Sequence, residues 1–234
     1  MNIVHLGDCM EAMREMPDNA YELAIADPPY GIGAGKGTEV LISSPKWKGG
    51  TQPNADTIYG EWDNARPDML YFHELQRVSE NQIIWGGNYF DLPPSPCMIV
   101  WDKENGNSFF ADGEIAWTSF TSKLRIFKYL SCGFMGSHKN RDKRIHPTQK
   151  PIALYKWLLQ NYAKPGNKIL DTHVGSGSSR IAAWDCGFDF VGYEIDKDYW
   201  QAQEDRFNAH KSQDELFDKA EMFVNKPDLT GGAV

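Results

Sequence analysis

The chain has 234 residues, 41% of them hydrophobic, enough to bury one good-sized core and near the upper limit for a single one. No run approaches the roughly 20 apolar residues of a membrane span, and residues 1–8 lack the charged start and apolar middle of a secretory leader, so a cytoplasmic protein is expected. The formal net charge of −8 counts at first sight against a nucleic-acid partner.

Strands and helices alternate along the chain. Asn2–Leu6 predicts a strand, Cys9–Met16 a short helix, and Glu22–Ala26 an apolar strand that runs into Asp27. Residues 31–60 are rich in Gly, Ser, Pro, Thr and Lys without an apolar period, and are expected to form a long functional loop. Asp68–Val78 predicts a helix, and strands follow near Gln82–Trp85 and Met98–Trp101. Glu114–Phe120 and Leu124–Tyr129 are expected to form an antiparallel pair. A helix should start at Pro151, since Ile152, Tyr155, Leu158, Leu159 and Tyr162 recur at helical spacing behind it. Lys168–Leu170 then predicts a strand, Ser178–Cys186 a helix, Phe188–Tyr193 a strand and Lys197–Lys211 a last helix. This alternation indicates an α/β fold, a mostly parallel sheet with helices on both faces, in one domain over residues 1–211. The acidic tail, 212–234, is expected to be partly disordered.

Charge is unevenly spread. Between Thr121 and Pro151 stand Lys123, Arg125, Lys128, Lys139, Arg141, Lys143, Arg144 and Lys150 against the single acid Asp142. A basic segment in an acidic body suits either a solvated face or contact with a polyanion. Cys9, Cys97, Cys132 and Cys186 lie far apart without a C-x-x-C pair, which points to reduced packing residues and no metal site.

Two constellations carry chemistry. Ile169–Ser178 reads as a strand, a Gly175-Ser176-Gly177 turn and a helix start. The acid Glu194 ends the next strand, near the interval of about 20 residues at which an acid grips ribose hydroxyls in nucleotide folds. Arg180 stands where G-x-G-x-x-G would have its third glycine, which disfavours a dinucleotide; alone, the turn equally suits a plain strand-to-helix connection. The second constellation, Asp27-Pro28-Pro29-Tyr30, follows a strand end, where open α/β sheets bind ligands. Its prolines fix a stiff turn without N–H donors. Such a frame presents a carboxylate and a carbonyl to an exocyclic amine, whose lone pair is delocalised until acceptors draw on its N–H bonds. Tyr30 offers a ring to stack on a base, although an ordinary Pro-Pro turn would look the same.

Taken together, these residues resemble the amino-methyltransferases of DNA, in the circularly permuted (beta-class) order that puts the catalytic motif before the cofactor motif. The resemblance rests on Leu6-Gly7-Asp8, Asp27-Pro28-Pro29-Tyr30, Ile84 to Phe90, His146-Pro147-Thr148-Gln149-Lys150-Pro151 and Gly175-Ser176-Gly177. The block from Trp101-Asp102-Lys103 through Phe110 to Glu114 is similar to small phage and prophage members. The resemblance implies a Rossmann-like S-adenosylmethionine-dependent fold and methyl transfer to N6 of a flipped-out adenine in a short recognition sequence, in a bacterial or phage-infected cell. Asp-Pro-Pro-Tyr is typical of the adenine enzymes; the alternatives are cytosine-N4 transfer and a non-catalytic DNA-binding protein. Cofactor contacts are implied for Asp8, Asp27, Thr148, Lys150, Asp171, His173, Gly175, Gly177 and Glu194; the basic segment, through Lys139, Arg141, Lys143 and Arg144, is expected on its charge to contact DNA phosphates, and the loop 31–60 to lie near the flipped base. The family's Asp-Pro-Phe before the glycines is Asp171-Thr172-His173 here, which implies either that the His173 ring stands in for phenylalanine against the cofactor or that affinity is reduced. In the tail, Gln213-Asp214-Glu215-Leu216-Phe217 resembles the short peptides that bind the bacterial sliding clamp.

Overall fold

A computed structural model describes residues 1–33, 63–106, 111–130 and 145–224, with side chains as far as 213. The elements are β1 (Asn2–Leu6), α1 (Cys9–Glu15), β2 (Tyr21–Ala26), α2 (Met69–Val78), β3 (Ser79–Trp85), β4 (Ile99–Asp102), β5 (Gly113–Thr118), β6 (Arg125–Lys128), α3 (Ile152–Tyr162), β7 (Lys168–Asp171), α4 (Ser178–Asp185), β8 (Asp189–Glu194) and α5 (Lys197–Val224). All the expected elements form. α5 continues beyond Lys211 to Val224, so a tail expected to loosen from residue 212 begins as helix.

The strands make one sheet in the order β1-β8-β7-β2-β3-β5-β4-β6. Every pairing is parallel except those of β5, which runs antiparallel to both β3 and β4. The expected pairing of β5 with β6 is corrected here. Both edges of β5 are taken, by β3 and β4, so β6 adds instead to the far side of β4, parallel to it.

β2 shows why its residues form a buried central strand. Leu23 and Ile25 join the core layer that contains Leu154 and Leu158 of α3 and Ala182 and Ala183 of α4. Ala24 and Ala26 join the opposite layer, with Met13 of α1 and Phe72 and Leu75 of α2. Successive side chains of a strand point to opposite faces, so a strand covered on both sides is apolar throughout, and each fully buried Leu or Ile contributes about 1.5–3 kcal/mol. Helix starts are marked by acids: Asp8 accepts from the Met10 amide at 2.8 Å and Asp68 from the Tyr71 amide at 3.1 Å. Between β2 and β7 the sheet order changes direction, and the carboxyl ends of both strands lie at that switch point.

Candidate active site

Asp27 follows the last residue of β2, and both of its carboxylate oxygens are engaged. One accepts from the Tyr30 hydroxyl at 2.6 Å; the other accepts from the Lys150 ammonium. Lys150 is 3% exposed. Its ammonium also meets Glu114 of β5 at 3.1 Å and the Tyr30 oxygen at 3.3 Å, and it lies 5.3 Å from the centre of the Trp85 ring. Glu114 is held on its other oxygen by Lys103 at 2.6 Å. Asp27, Lys150, Glu114 and Lys103 thus alternate in sign. Burial pushes the Asp27 carboxyl above the usual carboxylate range, and Lys150 only partly offsets it. Burial would raise Glu114 too, but Lys150 and Lys103 together hold it below that range. For Lys150, burial acts to lower its pKa, and the two carboxylates outweigh it and raise it. The ammonium therefore stays charged.

The Tyr30 ring is set by its neighbours. It stacks on Tyr89 with centroids 5.0 Å apart and planes at 16°. Gly86 has φ +70°, and a Cβ there would fall 2.2 Å from Tyr30 Cε1, so glycine is needed both for the left-handed turn after β3 and for the place of the ring. Asp63, 1% exposed, accepts from the amides of Gly31 at 2.8 Å and Ile32 at 3.2 Å and so ties down the chain beyond Tyr30.

At the end of β7, Asp171 accepts from the His173 amide at 2.9 Å and from the Ser179 hydroxyl at 2.5 Å. Burial raises its pKa to about 7 against these two donors. Thr172 and His173 Nδ1 are 3.0 Å apart, and Thr172 meets the Tyr71 hydroxyl at 2.6 Å. Burial lowers the His173 pKa to about 4, opposed by the charge of Asp8, so the ring is neutral near pH 7. Gly175 and Gly177 have φ +51° and +77°, and Gly177 caps α4. One oxygen of Glu194 accepts from the Gly175 amide at 2.8 Å and the other from Asp196 at 2.9 Å; burial raises its pKa against these bonds. Arg180 forms bonds to Asn2 at 2.8 Å, Gln203 at 2.9 Å and Glu204 at 2.6 Å, and these anchor α4 to its surroundings.

The His146–Pro151 block bridges the two strand ends. His146 Nδ1 accepts from the Thr148 amide at 3.3 Å, and its ring would lie 3.6 Å from a Cβ on Gly175. Four residues on, Lys150 reaches Asp27. Asp8, Pro29, Tyr71 and His173 line one cleft of about 420 Å³, within the size range of small-molecule sites; the glycine turn and Glu194 lie outside its lining. The structure thus gathers Asp8, Asp27, Pro28, Pro29, Tyr30, Thr148, Lys150, Asp171, His173, Gly175, Gly177 and Glu194 around adjoining strand ends. Lys150, implied as a cofactor contact, has its ammonium at Asp27. Lys139, Arg141, Lys143 and Arg144 lie outside the described residues, as do most of the loop 31–60 and the side chains of residues 214–217. Glu114, Lys103 and Asp63 were not foreseen as site residues. The available signal was a pair of opposite charges, Lys103 and Glu114, in a block rich in aromatic residues; no local pattern singles out Asp63.

A family model described as DNA methylase matches residues 121–205, which run from the approach to β6 into α5 and include the His146–Pro151 block, the glycine turn and Glu194. YubD of Escherichia coli, provisionally named a methylase, is 26% identical over 87% of this chain and 88% of its own. Among solved structures, the M1.HpyAVI–SAM complex aligns with a TM-score of 0.53 at 17% identity, covering 88% of this chain and all of that one. The cytosine-N4-specific PvuII DNA methyltransferase aligns with a TM-score of 0.53 at 12% identity, covering 88% and 86%. At such identities the structural likeness establishes the fold alone, a Rossmann-like α/β fold shared with these methyltransferases. Over residues 121–205 the chain is thus similar to DNA methylases, and over most of its length to a curated protein named as a methylase.

Proposed function

We propose that the chain transfers a methyl group from S-adenosylmethionine to an exocyclic amino nitrogen of DNA, N6 of adenine in preference to N4 of cytosine. The observation that carries this reading is Asp27. At the end of a central strand, beside a glycine turn, its carboxylate already holds a nitrogen donor, the Lys150 ammonium, with the Tyr30 hydroxyl on its other oxygen.

The cofactor fits the residues present. Gly175 and Gly177, in left-handed backbone, open the turn to close approach. The neutral ring of His173 and the exposed Asp8 face the cleft. In this reading Asp8 lies by the adenine, Glu194 by the ribose, and Thr148, just ahead of α3, by the methionine carboxylate, where helix amides favour an anion. Asp171 shapes the turn, and Lys150 belongs to the acceptor side with Asp27. Bound S-adenosylmethionine supplies an electrophilic methyl group on a sulfonium.

The chain's own residues prepare the nucleophile. N6 of adenine is out of reach inside a duplex, so the target nucleotide is flipped into the site. Tyr30, stacked on Tyr89, gives the base an aromatic wall. Asp27 and the Pro28 carbonyl accept the two N–H bonds, localise density on nitrogen and orient it for in-line attack. The proton leaves once the new bond has begun to form, and Asp27 accepts it or passes it to water. Asp27-Pro28-Pro29-Tyr30, the form typical of the adenine enzymes, favours adenine over cytosine.

The test is parallel exposure of unmethylated genomic DNA, RNA and protein to labelled S-adenosylmethionine, followed by base analysis of the labelled DNA. N6-methyladenine is expected. N4-methylcytosine overturns the choice of base, and label in RNA or protein alone, or nowhere, overturns the function. Replacing Lys139, Arg141, Lys143 and Arg144 by Ala is expected to flatten the dependence of log K on log salt by up to about 0.9 per phosphate contact; an unchanged slope removes that segment from the DNA interface.

A further inference from the structure

Glu114 and Lys103 have no part in the transfer as described, yet they complete its charge pattern. Glu114 is 23% exposed and stands on β5, one strand beyond β3 from the Asp27 strand. An acid so placed keeps its charge only if paired. It has two cations, Lys150 on one oxygen at 3.1 Å and Lys103 on the other at 2.6 Å. The Lys103 ammonium in turn lies over the Trp101 ring, 4.9 Å from its centre.

An amine that donates to Asp27 meets an occupied carboxylate. Tyr30 has one oxygen and Lys150 the other. A lysine bound to Asp27 alone would have to leave its charge unpaired in a buried site, which is strongly unfavourable. Lys150 is spared this, because the second carboxylate already touches it. We infer that Glu114 is a positioning residue for the proposed transfer: it retains the Lys150 ammonium while Asp27 gives up an oxygen to the target amine, and Lys103 keeps Glu114 charged and in place. This rests on the function proposed above. Lys150 is then a stand-in for the substrate amine, holding the acceptor site closed and satisfied until a base enters.

The test is a double-mutant cycle with the full-length chain, labelled S-adenosylmethionine and unmethylated genomic DNA at pH 8 in single turnover. Glu114→Gln is expected to slow transfer tenfold or more, because Lys150 then has only Asp27 to hold. Lys150→Met is expected to keep at least a tenth of the wild-type rate, and in that background Glu114→Gln should change the rate less than twofold. Equal losses in both backgrounds, no loss in the single Glu114→Gln variant, or complete inactivity of Lys150→Met each overturns the inference. Removing both charges together is the gentler change for folding. If Glu114→Gln alone does not fold, Glu114→Asp takes its place in both backgrounds, with an expected loss of three- to tenfold beside Lys150 and less than twofold without it; equal losses in the two backgrounds again overturn the inference.

A second readout separates positioning from mere support of the fold. Asp27 faces Lys150 from the approach to α3, Glu114 from β5, Tyr30 from its own turn, Tyr71 from α2, Tyr155 from α3 and Asp171 from β7. Of these, Glu114 is the anion that shares the Lys150 ammonium with Asp27, so its loss leaves Lys150 to Asp27 alone and the acid limb of the rate moves to lower pH in Glu114→Gln. A stationary limb overturns the inference. Affinity for S-adenosylhomocysteine by calorimetry should be the same in all variants; a change in the Glu114 variants would place that residue with the cofactor and overturn the inference. Failure of the wild type itself to label DNA is a different result, which overturns the proposed function.

Discussion

Two neighbouring parallel strands of the sheet, β2 and β7, each deliver an aspartate to the same switch point, and the two acids are treated differently. Asp27, with a side chain 17% exposed, is gripped by an ammonium and a phenol. Asp171, 1% exposed, sees a backbone amide and a serine hydroxyl. Burial raises both, so burial does not distinguish them; partner charge does. A carboxylate beside a cation that has a second anchor has a site to offer an incoming donor, whereas one capped by the turn it organises has none. In the proposed reaction the β2 end is the chemical half of the site and the β7 end the half that shapes a cradle.

The largest test of that contrast is Asp27→Ala, expected to lower methyl transfer by roughly 10²–10⁴ while DNA retention in a filter assay is largely kept. Asp171→Asn should cost less than tenfold in the same assay, and comparable losses would collapse the distinction. Next comes Glu194→Ala, which loses an acceptor from the cradle as well as the bonds to Gly175 and Asp196. It is expected to weaken S-adenosylhomocysteine by about 1.5–3 kcal/mol in calorimetry, the scale of a charged hydrogen bond. Unchanged affinity removes Glu194 from the cofactor site.

The smallest effect concerns His173, whose pKa of about 4 when folded lies below the ordinary value of 6.5. A histidine kept neutral by the fold supports stability above its unfolded pKa and loses that support as pH falls through the window from about 6.5 to 4. His173→Phe lacks this loss. Between pH 8 and pH 5 its unfolding free energy should therefore fall about 1–2 kcal/mol less than that of the wild type. The raised pKa of Asp171 acts in the opposite sense over the same range and is common to both chains. Parallel urea melts at the two pH values are the measurement, and identical losses would mean that His173 is already solvated in the native state.

How legible the molecule was in its sequence follows the same division. Elements with a clear period and a cap, such as β2 running into Asp27, or α3 behind Pro151, were readable to within a residue or two because both signals are local. The partner of β6 was not, since strand pairing depends on which edges remain free, and β5 had none. The site motifs were readable as segments, but the destination of Lys150 was not. It lies two residues after Thr148 in sequence, and its long stem carries the ammonium across to Asp27 and Glu114. Charge relays between residues 27, 103, 114 and 150 leave no periodic trace, and neither does Asp63 binding the amides of Gly31 and Ile32.

The seat of β1 has a further consequence, for the order in which the molecule assembles. Its partner in the sheet is β8, with Asn2 opposite Phe190 and Leu6 opposite Glu194, and the Gly7 amide closes on the Glu194 carbonyl at 2.9 Å. β1 thus waits for β8, which is synthesised after every other described strand of the sheet. Contacts of such long sequence separation form late and slowly. The turn that carries Asp8 toward the cleft reaches its place only when β8 has been made, so the cradle at β7 and β8 is closed by two segments far apart in sequence, and a ribosome stalled before β8 releases a chain whose β1 lacks its partner in the sheet.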